Sequence, residues 1–369
     1  MSKREILFLL SHQPNPRFVK QINFLSTRYN VSVLYYTREY MKDLSCEYSN
    51  NVVLSQSLGT VSNANYVKRI GKYINSFMQL KKILQKSSYD ILIVNNIDTL
   101  ALFKISTLSK RLEITRVMEI SDLRSHTYTE DIASKVMRTI EKYMFRFVDK
   151  LIVTSPKFYD KYYKNMFYGE AFILENKPLS TMIPQRLKKL ENDKIIIGIV
   201  GLLLQGKPYQ TLLEATKNDD RYEVHIYGKG IFEDLIKEYS HTYRNIKFFG
   251  EYNFFQDSAK IYSTLDILYM PYDTTNGSLN NKVAVPNKLY EAMYFHVPII
   301  TSKESYLGEL IEGFNIGKTI WCCQKEELLR TLEHFDFDLY LNNFGNLDKK
   351  EYLADDDYEK LDRYIKETI

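Results

Sequence analysis

Short runs of β-branched and other apolar residues alternate with longer amphipathic stretches along almost the whole chain. Stretches such as 64–87 and 130–148 have the apolar spacing of helices. Apolar strands bounded by helices are typical of a parallel sheet covered on both faces, so the pattern predicts an α/β fold. The predicted strands are 5–11, 31–36, 90–96, 115–120, 149–155, 171–176, 194–203, 222–230, 245–250, 266–272 and 297–302.

The alternation is interrupted at 176–194, a stretch with two prolines and a run of charges. A chain of 369 residues is also too long for one typical core. We therefore expect two doubly wound, Rossmann-like parallel-sheet domains that face each other across a cleft, with ligands beyond the carboxyl ends of the strands. The expected boundaries are 1–176, a linker at 177–193, 194–350, and a C-terminal helix at 351–369 that can cross back.

Charge is distributed unevenly between the two halves. Residues 1–180 contain 27 Lys and Arg against 16 Asp and Glu, or +11, whereas the remainder carries −7, within a net charge of +4. A basic half indicates an anionic partner, either a membrane surface or nucleic acid, unless the charges only solvate helix faces. No motif for nucleic-acid binding accompanies them, which favours the membrane. Three cysteines without zinc spacing and no signal-peptide pattern favour a cytoplasmic protein.

One helical stretch of the basic half, 131–150, combines two side-chain patterns. Basic residues recur at helical spacing, and a second stripe is apolar. This combination is typical of a helix that lies on an anionic membrane, although the apolar stripe could instead pack on the sheet. The basic residues are Lys135, Arg138, Lys142 and Arg146, and the apolar ones are Val136, Ile140, Met144 and Phe147.

Three loops of the second half carry features suited to phosphate. Lys207 begins a helix shortly after Gly201, and two glycines, Gly228 and Gly230, let the backbone approach a ligand closely. The stretch "PNKLYEAM" (286–293) begins a helix whose unpaired N–H groups suit an anion. Each feature alone is also compatible with an ordinary strand-to-helix turn. There is no Walker loop and no GxGxxG motif, which argues against ATPases and NAD enzymes.

These stretches resemble the donor domain of GT-B glycosyltransferases of the family 4 type, such as those that build bacterial capsule, O-antigen or exopolysaccharide. The matching segments are "GLLLQGKPYQTLLEA", "VHIYGKG", "IKFFGEYNFFQDSAKIYSTLDILYMPY" and, most specifically, "PNKLYEAMYFHVPIITS". The first half resembles the family more weakly, through "PRFVKQINFLSTRYNVSVLYYTRE", "DILIVNNIDTLAL", "VMEISDLRS" and "DKLIVTS".

The resemblance implies transfer of a sugar from a nucleotide sugar, with a UDP-sugar favoured. In the family, the residue at Lys207 and the helix start at Asn287 and Lys288 hold the diphosphate, and the residue at Glu291 binds ribose. The full implied donor set is Gly201, Lys207, Gly228, Gly250, Tyr252, Asn281, Asn287, Lys288, Leu289 and Glu291.

Two departures concern the transferred sugar. The family usually has a second glutamate eight positions before the first, and here that position is Val283. The usual arginine is also missing, because residues 202–204 are all Leu. Asn281 or Lys282 can substitute. Retention or inversion of configuration therefore stays open.

The first domain is expected to bind a lipid-linked or glycan acceptor. Candidate side chains follow two of its predicted strands: His12, Arg17, Asp122, Arg124 and His126. If transfer inverts configuration, a carboxylate or imidazole such as Asp122 or His12 could deprotonate the acceptor hydroxyl. These two, with Lys207 and Glu291, are the predicted catalytic residues.

No cofactor and no metal are expected. The acidic run "DDD" at 355–357 resembles a metal-binding motif, but it stands at the front of a helix, where acidic residues stabilise the dipole. Two other functions remain open: a sugar-nucleotide 2-epimerase of the same fold, and a non-catalytic protein that binds sugar nucleotides.

Overall fold

The computed structural model describes residues 3–38, 48, 51–61, 66–108, 113–275 and 279–367. The chain divides into two compact units. The N-terminal unit comprises Met1–Leu174 together with Asp357–Ile369, and the C-terminal unit comprises Glu175–Asp356.

The N-terminal unit contains a seven-stranded sheet in the order β3-β2-β1-β4-β5-β6-β7, and its strands pair in parallel. The strands are β1 Glu5–Leu10, β2 Asn30–Arg38, β3 Val52–Val61, β4 Ile91–Val94, β5 Thr115–Ile120, β6 Lys150–Val153 and β7 Ala171–Ile173. The helices are α1 Pro16–Ser26, α2 Tyr66–Lys86, α3 Ile97–Ser106, α4 Ile132–Met144 and α5 Pro156–Lys161.

The C-terminal unit contains a six-stranded parallel sheet in the order β10-β9-β8-β11-β12-β13. Its strands are β8 Ile195–Leu202, β9 Tyr222–Lys229, β10 Ile246–Gly250, β11 Ile267–Met270, β12 Ile299–Ser302 and β13 Gly317–Ile320. Its helices are α6 Gly206–Thr216, α7 Glu233–Thr242, α8 Phe254–Thr264, α9 Leu279–Val283, α10 Asn287–Phe295, α11 Tyr306–Phe314, α12 Lys325–Glu333 and α13 Phe337–Phe344.

Helices cover both faces of this second sheet, as the sequence pattern predicts. One buried cluster joins the strands to α8, α10 and α11, and the other joins them to α6, α7 and α12. Because both faces are buried, the strands are almost continuously apolar rather than alternating. The expectation of two doubly wound α/β domains is confirmed.

The last helix, α14 (Asp355–Lys366), packs within the N-terminal unit. The Tyr29 hydroxyl donates to Asp362 at 2.7 Å, and Arg28 forms ion pairs with Glu359 and Asp362. These contacts attach the end of the chain to α1 and to the start of β2.

The strand order reverses at one place in each sheet. In the first sheet β1 lies between β2 and β4, and in the second β8 lies between β9 and β11. Ligands of doubly wound sheets bind outside the carboxyl ends of the strands at such a reversal. A ligand site is therefore expected at the loops after β1 and β4, and at those after β8 and β11.

Candidate active site

The loops after β8 and β11 are connected directly. The backbone N–H of Asp273 donates to the side-chain oxygen of Gln205 at 3.1 Å, and the Asn281 amide donates to the Asp273 carbonyl at 3.3 Å. Lys207 lies in the first turn of α6 with an exposed side chain. Burial and Asp273 raise the pKa of the Cys323 thiol, and the nearby Lys207 ammonium opposes this rise. Lys207 and Asn281 are thus placed at the same edge of the sheet.

Two glycines allow the ends of β8 and β9 to come unusually close. Gly201 has φ +121° and Gly228 has φ +136°, in the region that side chains other than glycine rarely adopt. A Cβ added to Gly228 would lie 1.8 Å from the Gly201 carbonyl oxygen, and one added to Gly201 would lie 3.3 Å from Cε of Lys288. The predicted glycines therefore lie together and place the Lys288 stem against the end of β8.

Lys288 and Glu291 form a largely buried ion pair on the first turn of α10. The Lys288 Nζ lies 2.8 Å and 2.6 Å from the two carboxylate oxygens of Glu291 and 2.6 Å from the Tyr252 hydroxyl. The hydroxyl of Tyr262, on α8, donates to Glu291 Oε2 at 2.8 Å. The two charged side chains are 19% and 6% exposed. We call these four residues the Lys288 cluster.

The electrostatics of the cluster favour the charged pair. Burial alone lowers the pKa of the Lys288 ammonium, but the Glu291 carboxylate and the Tyr252 hydroxyl outweigh it, and the net pKa is raised. Burial, and then the same carboxylate, raise the pKa of Tyr262 well above its usual value, so its hydroxyl stays protonated and donates. The lysine therefore carries its positive charge at the start of α10.

The start of α10 has an incomplete cap. Pro286 stands at the N-cap position and has no side-chain group that can accept from the first-turn amides. The Leu289 N–H bonds to the Pro286 carbonyl at 3.1 Å, and the Asn287 side chain accepts from Asn176. This helix start adds backbone donors and the positive end of the dipole beside Lys288, as anion binding requires.

Two predicted donor residues, Leu289 and Gly250, have different surroundings. The Leu289 side chain is fully buried in the core, so only its backbone is available for the predicted donor contact. Val283, at the position where the family usually has a second glutamate, is also buried and packs in the apolar core. Gly250 ends the edge strand β10 with φ +73°, and a Cβ there would have no neighbour within 4 Å. It lies one residue from Phe249, which stacks on Tyr227 at 4.5 Å.

A second polar group, the His12 cluster, lies at the reversal of the first sheet. It consists of Ser11, His12, Asn95, Asn96 and Arg124. The Ser11 N–H donates to the Asn95 side-chain oxygen at 2.9 Å, which leaves the Asn95 amide nitrogen facing His12 Nε2 at 3.0 Å. Asn96 in turn contacts the Ser11 hydroxyl and accepts from Arg124. The structure thus brings His12 and Arg124 into one network.

The hydrogen bonds of this cluster define the protonation of His12. Since Asn95 donates to Nε2, the ring proton is assigned to Nδ1, which lies 2.6 Å from the Gln13 carbonyl. Burial lowers the pKa of His12, and the guanidinium groups of Arg38 and Arg124 lower it further. His12 is therefore a neutral imidazole, and its one acceptor nitrogen, Nε2, receives a hydrogen bond from the Asn95 amide.

Arg17 does not belong to this site, and its predicted role is corrected. The side chain is buried, with Nε 2.5 Å from Glu119 and Nη2 2.9 Å from the Leu174 carbonyl. Gln21 donates to the other oxygen of Glu119 at 2.6 Å. This network connects α1 with β5 and the end of β7, so Arg17 has a structural role.

The two remaining acceptor candidates have different surroundings. His126 faces α4, with Nε2 3.2 Å from the Glu141 carboxylate, and it is largely buried. Asp122 is exposed in the loop after β5. Of these two, only Asp122 presents its side chain to solvent.

The acidic run that begins α14 contacts a residue distant in the chain. Asp355 accepts from the backbone N–H and the hydroxyl of Ser180, at 3.0 Å and 2.7 Å. Within the described ranges, no group of three or more His, Cys, Asp or Glu side chains is arranged to hold a metal ion.

Sequence reasoning missed two sets of contacts. Tyr262 occupies an apolar position of a helix and nothing in its pattern indicates a ligand site, yet it holds Glu291. Asn95 and Asn96 could have been found, because two polar residues directly after the apolar run of β4 indicate side chains at the carboxyl end of a strand.

Parallel sheets that reverse order, with polar loops at the first reversal and two strained glycines at the second, are typical of doubly wound α/β proteins that bind a ligand at the reversal. Residues 194–333 match the family model "Glycosyl transferases group 1", and residues 5–155 match "Glycosyl transferase 4-like". The chain therefore belongs to the family 4 type of GT-B glycosyltransferases.

Individual proteins are similar over most of the chain. The succinoglycan biosynthesis protein ExoL of Rhizobium meliloti is 23% identical over 289 residues, which cover 74% of this chain and 71% of ExoL. Sucrose-phosphate synthase from Thermosynechococcus elongatus has a TM-score of 0.73 at 14% identity and 98% coverage of both chains. Anabaena HepE in complex with UDP has a TM-score of 0.68 at 13% identity, covering 97% of this chain and 98% of HepE. These two structures share the GT-B fold.

Proposed function

We propose that this glycosyltransferase transfers a sugar from a UDP-sugar to a hydroxyl of a lipid-linked or oligosaccharide acceptor in bacterial surface polysaccharide synthesis. The observation that carries the proposal is the convergence of Lys207, the α10 start and the Lys288 cluster at one edge of the C-terminal sheet. The name of ExoL supports the polysaccharide context, and HepE structures with UDP and with UDP-glucose support the donor.

In this proposal the C-terminal unit stabilises the leaving nucleotide. Transfer breaks the bond between the anomeric carbon and a diphosphate oxygen, so negative charge increases on the leaving group. Lys207, Lys288 and the α10 amides supply positive charge and donors for that oxygen, without a metal ion. Glu291 accepts hydrogen bonds from the ribose hydroxyls.

The acceptor is assigned to the N-terminal unit at the His12 cluster. If configuration inverts, the neutral His12 accepts the proton of the acceptor hydroxyl at Nε2, where this hydroxyl replaces the Asn95 amide. In this proposal Arg124 and Asp122 bind acceptor hydroxyls. If configuration is retained, a leaving phosphate oxygen takes this proton and the same residues only orient the acceptor.

The test has two stages. A thermal-shift screen over UDP-, GDP-, dTDP- and CMP-sugars identifies the donor, since ligand binding raises the melting temperature. The chosen donor, labelled in its sugar, is then incubated with a lipid extract of polysaccharide-producing cells. We expect labelled glycolipid and free nucleoside diphosphate in equal amounts. Turnover of the donor without glycosylated product, or with an epimerised sugar, would contradict transfer.

We also propose that the N-terminal unit works at an anionic membrane surface. Four apolar side chains of α4 face solvent along one stripe: Ile132, Val136, Ile140 and Tyr143 are 82%, 53%, 44% and 56% exposed. Lys135 and Lys142 are exposed on the same helix. Each basic residue near an anionic surface contributes about 1 kcal/mol.

The structure changes the predicted composition of this stripe. Met144 is buried, and Arg138 bonds to the carbonyls of His126 and Thr129 at 2.9 Å and 2.6 Å, so neither is available to lipid. Among the described residues, no helix has the length and apolar character of a membrane span. The proposed contact is a peripheral one, made by the exposed stripe of α4.

Sedimentation with vesicles tests this contact. We expect binding to anionic vesicles at low salt that weakens at high salt and with neutral lipid. The double change Val136→Ser and Ile140→Ser should abolish it. The matched change of Leu339 and Leu341 to serine, a pair on α13 that is 43% and 44% exposed, should not. Equal binding of neutral and anionic vesicles, or loss in both double variants, would contradict the proposal.

A further inference from the structure

The Lys288 cluster has no spare donor on its lysine. An ammonium group has three N–H donors, and the three contacts of Lys288 are the two Glu291 oxygens and the Tyr252 hydroxyl. Glu291 also accepts from Tyr262, so its two oxygens already receive three hydrogen bonds. A carboxylate has about four acceptor positions, so one remains, and a ribose diol that donated with both hydroxyls would have to displace the lysine from the other.

The two partners of Glu291 differ in how readily they can leave. Tyr262 is buried and stacks on Phe295 with ring centres 4.7 Å apart, so its hydroxyl is fixed. The ammonium group of Lys288 is at the end of a flexible side chain that lies beside Gly201, at the start of α10. An exchange of partners therefore moves the lysine and leaves the tyrosine in place.

We propose that Lys288 is a specificity-determining residue that makes the ribose-binding carboxylate available only to phosphorylated ligands. This inference rests on the proposed nucleotide-sugar function. A diphosphate offers Lys288 a new anion, so the lysine can leave Glu291 without losing a charged partner. A neutral nucleoside offers no such partner, and its diol would have to displace the lysine into a buried position without compensation. Donors are bound, and unphosphorylated nucleosides are rejected.

Tyr262 acts as a positioning residue in this exchange. Its hydroxyl holds one oxygen of Glu291 while the lysine moves, so the carboxylate keeps its orientation toward the incoming diol. The Lys288 ammonium lies beside the rings of Tyr252 and Phe254, with Nζ 5.3 Å and 5.6 Å from their centres. A methionine at this position would preserve that packing without the charge.

The test compares UDP with uridine on three folded proteins, using ligand-observed NMR so that millimolar affinities are measurable. In the wild-type chain UDP should bind and uridine should bind at least about a hundredfold more weakly. Lys288→Met should weaken UDP about tenfold or more and tighten uridine about tenfold or more. Lys207→Met, which changes a lysine that does not touch Glu291, should weaken UDP and leave uridine unchanged.

Each result has one interpretation. Uridine affinity that stays constant or falls in Lys288→Met, while the wild-type chain binds UDP, would overturn the inference and leave the proposed function intact. A wild-type chain that binds neither UDP nor GDP would instead contradict the proposed function; if it binds GDP, GDP and guanosine replace the uracil pair. Should Lys288→Met fail to fold, Lys288→Gln, which keeps a hydrogen-bond donor without the charge, gives the same comparison.

Discussion

Replacement of Gly228 by alanine tests the close approach of β8 and β9. The added Cβ would lie 1.8 Å from the Gly201 carbonyl oxygen, a backbone atom that cannot rotate away. The backbone of Gly228 also has φ +136°, which alanine rarely adopts. A side chain in a sparsely populated backbone region costs about 1–3 kcal/mol, and here the end of β8 must also move. We therefore expect the free energy of unfolding to fall by about 3 kcal/mol or more. In a unit of this size that corresponds to a fall in melting temperature of roughly 6–12 °C.

Gly250→Ala is the matched control. Gly250 also has a positive φ of +73°, but a Cβ there would contact nothing within 4 Å. Only the left-handed backbone is penalised, at about 1–2 kcal/mol. Differential scanning calorimetry of the full-length variants should show a clearly smaller shift for Gly250→Ala. Equal shifts would refute the reasoning, because they would mean that the contact with Gly201 has no energetic consequence.

Three further predictions concern the buried ion pair, pH and metal. Arg17→Met should destabilise the N-terminal unit by about 3–5 kcal/mol in denaturant unfolding, because it leaves Glu119 buried without its cation; a loss below about 1 kcal/mol would contradict this. Burial and Arg186 lower the pKa of His296 to about 4 in the folded protein. As the pH decreases from about 6.5 toward 4, this histidine is protonated in the unfolded chain before it is protonated in the folded one, so the free energy of unfolding falls. His296→Asn, which tolerates the left-handed backbone, should reduce that fall in melting temperature, whereas the same change at exposed His334 should not; identical acid profiles would refute it. EDTA should leave sugar transfer unchanged, and loss of activity restored by Mg²⁺ or Mn²⁺ would contradict a metal-independent mechanism.

The sequence predicted the strands that coincide with apolar runs, whatever their length, and it missed two that do not. β3, at the edge of the first sheet, contains the polar stretch "SQS" and has only two fully buried residues, so it lacks the apolar pattern of the central strands. β13 has four residues, "GKTI", with one hydrophobic side chain, Ile320. The pattern of β3 therefore resembles a loop because the strand is polar, and that of β13 because the strand is short and has only one hydrophobic side chain.

The loops and motifs of the candidate site could be predicted from the sequence, but the hydrogen-bond and ion-pair partners of its side chains could not. The spacing after β8 and the stretch 286–293 placed Lys207, Lys288 and Glu291 at one sheet edge. That Lys288 bonds to Glu291, and that Arg17 faces inward to Glu119, depends on side-chain direction and on partners distant in the chain. Periodicity along one segment contains no information about such partners.

Calorimetric titration of UDP into the wild-type chain and two site variants tests the central claim most directly. If the edge beyond β8 and β11 binds the donor, Glu291→Gln and Lys207→Ala should each weaken UDP about ten- to a hundredfold, since a charge-assisted contact contributes about 1.5–3 kcal/mol. The controls Glu326→Gln and Lys260→Ala change exposed residues elsewhere on the same unit and should bind as the wild type does. Folded Glu291→Gln and Lys207→Ala proteins that retain wild-type affinity for UDP would contradict the account.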